Sequence, residues 1–224
     1  MDLDHPASSG ATPDSERPAL PPELTETRIV AIARANRPDH VIRAANVLID
    51  AGITCLEIAL TTPSATEVIA SLNETAGDRA CIGAGTVLSS TQASACIDAG
   101  ARFLVSPTIA PEVVACGVAA GIPCLPGALT PSEIVSAWLN GAAAVKLFPA
   151  SMGGAAYVHD VRAPLPNVPL IPTGGVGFAN AASFMAAGAI ALGVGQSLFG
   201  DALDGGDLRE LESRARALLA IVRS

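Results

Sequence analysis

From Arg28 onward, short apolar runs rich in β-branched residues alternate with alanine-rich stretches of helical character. The runs predict eight strands: RIVAIAR (28–34), ITCLEIAL (53–60), ACIGAG (80–85), RFLVS (102–106), IPCLP (122–126), AAVKLF (143–148), VPLIPT (168–173) and AIALGVG (189–195). Between them lie PDHVIRAANVLIDAG, PSATEVIASLNETAG, STQASACIDAG, APEVVACGVAAG, TPSEIVSAWLNG, a stretch after Met152, and FANAASFMAAG. A last helix is predicted over about 207–222. Several helical stretches stop at a glycine just before the next strand: Gly52, Gly100, Gly121, Gly141 and Gly188. Glycine suits the position past a helix C-terminus because it tolerates positive φ. Thr130-Pro131-Ser132-Glu133 reads as a helix start, with a cap, a proline at the first helical position and a glutamate three residues after the cap.

The strand runs are apolar throughout rather than alternating, as in a parallel sheet covered on its outer face. Eight strands alternating with eight helices predict an α/β fold, a compact (β/α)8 TIM barrel. A doubly wound open sheet is the alternative. It expects a glycine fingerprint after the first strand, and Ala35-Asn36-Arg37-Pro38 holds no glycine.

Residues 1–26 break the pattern. They carry Pro6, Pro13, Pro18, Pro21 and Pro22 among Ser, Asp and Glu, with six acids against Arg17. That composition predicts a disordered N-terminal tail, leaving 27–224 as the barrel domain. The segment has neither a basic start nor an apolar stretch, so no secretion signal is expected, and the expected compartment is the cytoplasm. No apolar run approaches the roughly 18 residues that a membrane span needs. The formal net charge is −8, a poor match for nucleic acid or an anionic membrane. Cys55, Cys81, Cys96, Cys116 and Cys124 form no C-x-x-C pair and read as buried small hydrophobes in a reducing compartment.

One count changes the picture. Twelve of the thirteen basic residues are arginine, and the sole lysine, Lys146, lies inside AAAVKLFPA. In a barrel, function sits at the C-terminal ends of the strands. A lysine facing the interior there is desolvated, which disfavours the charged amine and suits attack on a ketone to form a Schiff base. The structural alternatives are a lysine snorkelling from a strand end or pairing with a carboxylate. Glu57 in CLEIAL is the matching oddity, a carboxylate among apolar neighbours. It reads as a proton-transfer partner to the amine, or else as half of a buried structural ion pair.

Thr173-Gly174-Gly175 and Gly193 to Ser197 follow the seventh and eighth strands, where barrels commonly bind phosphate through loop amides. The plainer alternative is a pair of tight turns that need positive φ. His5, His40 and His159 show no metal-ligand spacing, and no G-x-S-x-G elbow occurs. Covalent amine catalysis with no cofactor and no metal is therefore the expected chemistry. The rival readings are another sugar-phosphate barrel enzyme, such as an epimerase or a thiamin-phosphate-type synthase, and a phosphate-binding barrel without catalysis.

The chain resembles the class I aldolases that cleave 2-keto-3-deoxy-6-phosphogluconate, its galactonate counterpart and 4-hydroxy-2-oxoglutarate. The resemblance spans about 28–222. It is carried by Leu56-Glu57-Ile58, Ile82-Gly83-Ala84-Gly85-Thr86-Val87-Leu88, Val105-Ser106-Pro107, Cys124-Leu125-Pro126-Gly127, Val145-Lys146-Leu147-Phe148-Pro149-Ala150 and Pro172-Thr173-Gly174-Gly175-Val176. It implies that Lys146 is the Schiff-base lysine and Glu57 the proton-moving carboxylate. It places Thr86 and Pro107 in a pyruvate pocket, Phe148 beside the lysine, and Arg34 on an anionic substrate group. Gly174 and Gly175 fall on the phosphate-loop glycines, and the family's usual assembly is a homotrimer. Two positions depart. Leu60-Thr61-Thr62-Pro63 replaces the Leu-Arg-Thr of many gluconate-type members, nearer the galactonate-type pattern. A serine common in the family falls on Gln196, with Ser197 beside it.

Overall fold

The computed structural model describes residues 17–224. The tail expected over residues 1–16, His5 included, lies outside the described residues. The strands are β1 (Ile29–Ala33), β2 (Cys55–Ala59), β3 (Cys81–Gly85), β4 (Leu104–Val105), β5 (Cys124–Leu125), β6 (Gly127–Ala128), β7 (Val145–Leu147), β8 (Leu170–Pro172) and β9 (Leu192–Val194). All pair in parallel, in the orders β5-β4-β3-β2-β1-β9 and β6-β7-β8.

β5 and β6 are one strand of the barrel, interrupted at Pro126. Proline has no N–H for the ladder, so the pairing breaks there. Its carbonyl still accepts from the Lys146 amide at 3.0 Å. The two sheets join into one ring at both seams. The Ala143 amide donates to the Cys124 carbonyl at 2.9 Å, and an isolated parallel bridge links Thr173 to Gly193. The expected (β/α)8 barrel is therefore the architecture.

The outer helices are α2 (Pro38–Ala51), α3 (Ala65–Ala76), α4 (Ser90–Asp98), α5 (Pro111–Ala119), α6 (Pro131–Leu139), α7 (Gly154–Arg162), α8 (Ala181–Ala186) and α10 (Leu208–Arg223). A four-residue helix, α9 (Gln196–Phe199), follows the last strand. The five glycines read as helix stops have φ of 99°, 89°, 70°, 100° and 95° in chain order. Thr130 and Glu133 cap α6 reciprocally, as the sequence predicts. Two backbone amides, of Thr130 and then Leu129, donate to the Glu133 carboxylate and hold it below the usual carboxylate range.

Strand parity divides the core in two. Ile29, Ala31, Leu56, Ile58, Ile82, Ala84, Leu147 and Leu192 face outward and pack under the helices. Val30, Cys55, Cys81, Phe103, Val105, Leu125 and Ile171 face inward and fill the lumen. This is the period-two alternation of a strand buried on both faces. It explains why the runs read as uniformly apolar. Four of the five cysteines are buried as expected, and Cys116 is half-buried. Burial pushes up the thiols of Cys96 to about 11 and Cys124 to about 12, and that of Cys55 well above its ordinary value.

The N-terminal boundary needs correction. Residues 17–26, expected in the tail, fold against the barrel. Helix α1 (Pro22–Thr27) starts on a proline and inserts Leu24, fully buried, into the lumen cluster. Glu23 pairs with Arg102 at 3.1 Å. The Arg17 guanidinium lies 3.7 Å from the centre of the Trp138 ring and donates to the carbonyls of Trp138 and Ala142 at 2.7 and 2.8 Å. The proline-rich composition hid this because only two large apolar residues, Leu20 and Leu24, do the packing. Leu24→Ala is expected to lower unfolding stability by about 2–5 kcal/mol, the range for emptying a buried leucine site. Urea denaturation measures it, and an unchanged midpoint would mean that the segment is not part of the folded domain.

Candidate active site

Lys146 and Glu57 come from opposite sides of the ring. Glu57 is central in β2, between Ile32 of β1 and Gly83 of β3. Lys146 is central in β7, between Gly127 of β6 and Ile171 of β8. β2 supplies the second position of the eight-membered ring and β7 the sixth, so the two side chains point at each other across the lumen. Lys146 Nζ lies 3.8 Å from Glu57 Oε1, and the side chains are 10% and 3% exposed. Among the described residues neither has another ion-pair partner.

Two opposing effects act on this pair. Removing either charge from water is costly, and the opposite charge offsets that cost only when the two stay together. The separation is longer than a direct hydrogen bond. A small cavity of about 10 Å³, bordered by both side chains and by Thr173, lies beside it, at the threshold for one water molecule.

Room for the carboxylate is made by a neighbouring strand. A Cβ on Gly85 would overlap Glu57 Oε1, with Glu57 Cδ at 2.5 Å. A Cβ on Gly83 would run into the Phe103 ring. The motif Ile82-Gly83-Ala84-Gly85 thus places alanine outward and glycine inward, with a bulky ring below and a carboxylate above.

Above the pair opens a cavity of about 900 Å³. Lys146 forms part of its floor, and every expected substrate-contact residue lines it: Arg34, Thr86, Pro107, Phe148, Gly174, Gly175 and Ser197. Glu57 lies one layer deeper, reached past the lysine. Thr86 has φ of 62°. A β-branched residue in that region is strained, at a cost of order 1–3 kcal/mol, and such residues cluster where a site requires them. Phe148 is two positions beyond Lys146 on the same face, its ring centre 5.4 Å from Nζ. Arg34 is exposed, and no carboxylate among the described residues pairs with it.

The two late loops form one wall. Gly174 and Gly175 have φ of 86° and 78°. A Cβ on Gly174 would stand 3.1 Å from the Phe148 ring, and one on Gly175 would be 2.7 Å from Ser151 Cβ. Ser197 Oγ donates to the Val176 carbonyl at 2.7 Å, tying the last loop to the one before it. Gln196 turns its amide back onto the Gly200 carbonyl at 2.7 Å.

Sequence reasoning did not single out Asn180, Phe178, Ile32 or Leu203, which also line the cavity. Asn180 donates to the Gly175 carbonyl and accepts from the Gly177 amide, both at 2.9 Å, and so braces the glycine loop. Its signal was present, an asparagine just after a glycine turn. Ile32 shares its strand face with Arg34. His40 Nδ1 donates to the Leu203 carbonyl at 3.0 Å, behind the cavity lining at Leu203. Thr61, at the departing position after the second strand, is exposed and lies outside this cavity. Among the described residues no group of three His, Cys, Asp or Glu side chains is placed to hold a metal, and no helix is long and apolar enough to cross a membrane.

A buried amine facing a buried carboxylate at the floor of a barrel's C-terminal cavity defines a Schiff-base barrel enzyme. Comparison with known proteins narrows this. Residues 21–213 match the family model for KDPG and KHG aldolase. A probable 2-dehydro-3-deoxy-6-phosphogalactonate aldolase of Rhizobium meliloti is 35% identical over 206 residues, which cover 92% of this chain and 95% of that one. A native KDPGal structure superposes with a TM-score of 0.82 at 33% identity, covering 87% of this chain and 94% of the other. The KDPG aldolase of Legionella pneumophila, solved with pyruvate captured as a covalent carbinolamine, superposes with a TM-score of 0.81 at 26% identity, covering 89% and 98%.

The chain belongs to the KDPG and KHG aldolase family. It is a carbon–carbon lyase, a class I aldolase. A Gly85→Ala variant is expected to fold but to displace the Glu57 carboxylate, lowering aldolase turnover by roughly 100-fold or more, the scale of a lost acid–base group. Near-normal turnover in a folded variant would show that chemistry does not depend on this placement.

Proposed function

We propose that the protein reversibly cleaves a 2-keto-3-deoxy-6-phospho sugar acid, of the galactonate or gluconate type, to pyruvate and glyceraldehyde 3-phosphate. Cleavage of 4-hydroxy-2-oxoglutarate to pyruvate and glyoxylate is a second reaction of the same site. The observation that carries this reading is the buried Lys146–Glu57 pair, 3.8 Å apart, beneath an open cavity. The names of the relatives supply the substrate class.

Lys146 transfers a proton to Glu57 and attacks the C2 ketone of the substrate as a free amine. The carbinolamine loses water, with Glu57 returning the proton to the departing hydroxyl, and a protonated imine forms. Glu57, directly or through one water, then takes the proton of the C4 hydroxyl. The electron pair of the broken O–H bond forms the aldehyde C4=O, the C3–C4 bond breaks, its pair forms C3=C2, and the C=N pair moves onto the imine nitrogen. Protonation of the resulting enamine at C3 and addition of water at C2 release pyruvate and restore Lys146. The imine serves as the electron sink. Removal of the hydroxyl proton by a positioned carboxylate is general base catalysis.

Thr86, Pro107 and Phe148 form the pocket for the pyruvyl half. Arg34 holds an anionic group of the substrate at the rim. Amides of the loops containing Gly174, Gly175 and Ser197 hold the phosphate, as glycine-rich turns do when no basic side chain is close. The working form is a homotrimer in the cytoplasm. Exposed Leu88, Leu139 and Met152 support assembly, because large apolar side chains in solvent commonly mark contact sites.

Borohydride reduction with pyruvate is expected to leave one stable adduct, on Lys146, read by peptide mass. Lys146→Ala loses both the adduct and turnover, since no other lysine exists to replace it. Retained cleavage in that variant would sink the assignment. Glu57→Gln is expected to keep some imine trapping while losing about 100-fold or more in turnover. The alternative of a phosphate-binding barrel without catalysis predicts no adduct in the wild type.

A further inference from the structure

The hydroxyl pair Thr61-Thr62 follows the end of β2, and its two members have separate fates. Thr61 is exposed outside the active-site cavity. Thr62 is 2% exposed, and its Oγ1 accepts a hydrogen bond from the Ala35 amide at 3.2 Å. Its own amide donates to the Ala59 carbonyl at 2.9 Å, which turns the chain back over the end of β2. The β1–β2 ladder has its last Cα partners at Ala33 and Ile58. Past that point the Ala35 amide has lost its strand partner, and Ala35 is 7% exposed. Thr62 supplies the acceptor that the sheet no longer provides.

The bonded amide belongs to the peptide plane between Arg34 and Ala35. Tethering it fixes the ψ of Arg34 and therefore the direction of its Cα–Cβ bond. Arg34 has no carboxylate partner among the described residues, so its aim into the cavity depends on that backbone anchor. We infer that Thr62 is a positioning residue for Arg34, holding the guanidinium at the cavity rim where it meets the anionic group of the substrate. This inference rests on the function proposed above. It assigns the hydroxyl after the second strand a role in substrate binding without substrate contact.

Thr62→Val keeps the shape and removes the acceptor. It is expected to raise KM for the phosphorylated keto-deoxy acid roughly five- to tenfold with kcat within about twofold, the scale of one unmade buried hydrogen bond. Thr62→Ser retains the acceptor and is expected to restore KM to within about twofold of wild type. In an Arg34→Gln background, Thr62→Val is expected to add nothing further to KM, because residues acting through one another are not additive. Thermal melts and the yield of borohydride-trapped pyruvate on each variant separate local aiming from loss of fold. A Thr62→Val effect that persists in full without Arg34, an unchanged KM, or no rescue by serine would each overturn the inference. If the wild type cleaves no keto-deoxy acid, the proposed function fails instead. If Arg34→Gln leaves KM unchanged, the substrate role of Arg34 fails with the inference.

Discussion

A single ion pair in the lumen sets the terms for the rest of the barrel. Two charged groups sit almost wholly out of water, held from opposite strands at a separation too long for a direct bond. Such an arrangement is costly unless both partners stay in place, so the surrounding residues are those that keep the two together. Glycines 83 and 85 clear space beside β2, and Gly193 clears it beside Thr173. Phe103, Cys55, Cys81 and Leu24 fill the layer below, leaving the charged pair no room to sink. The lysine is the last buried residue before the open cavity, and the carboxylate behind it faces that amine.

The cavity above has a matching division of labour. Its floor is carried by the strand ends, with Lys146 in β7 and Thr173 just past β8. Its wall is backbone, two loops joined by Ser197 and braced by Asn180. A wall of amides carries partial positive charge without a titrating side chain, so it presents the same face to an anion across a wide pH range. Among the described residues lining the opening, Arg34 carries the guanidinium at the rim. In a protein with net charge −8, a cationic group at one opening favours anions there over the rest of the surface.

Much of this was legible in the chain. The eight apolar runs marked the strands because both faces of each strand are covered. The lone lysine and the lone carboxylate among apolar neighbours marked the pair because burial of either needs a reason. The glycines after the helices marked the turns. What stayed hidden depends on distance in space. That Gly85 is small on behalf of Glu57 requires knowing that β3 lies beside β2 with glycine inward. Pro126 splits the fifth strand by withholding one N–H, and a run of five residues gives no sign of that. Residues 17–26 look like tail because prolines and acids outnumber Leu20 and Leu24, yet Leu24 is fully buried in the lumen cluster and Leu20 packs against it. Thr62 looked like part of a loop motif, and only the neighbouring strand end shows what its hydroxyl serves.

Leu24 has a consequence for traffic. With that side chain packed into the lumen cluster, the cavity that reaches Lys146 opens at the other end of the strands. Whatever is tethered to the amine at the bottom must wait until the fragment nearer the doorway has gone. On the proposed chemistry the architecture imposes a queue, in which the three-carbon acid held on the lysine is the last to depart and, in the reverse direction, the first to arrive.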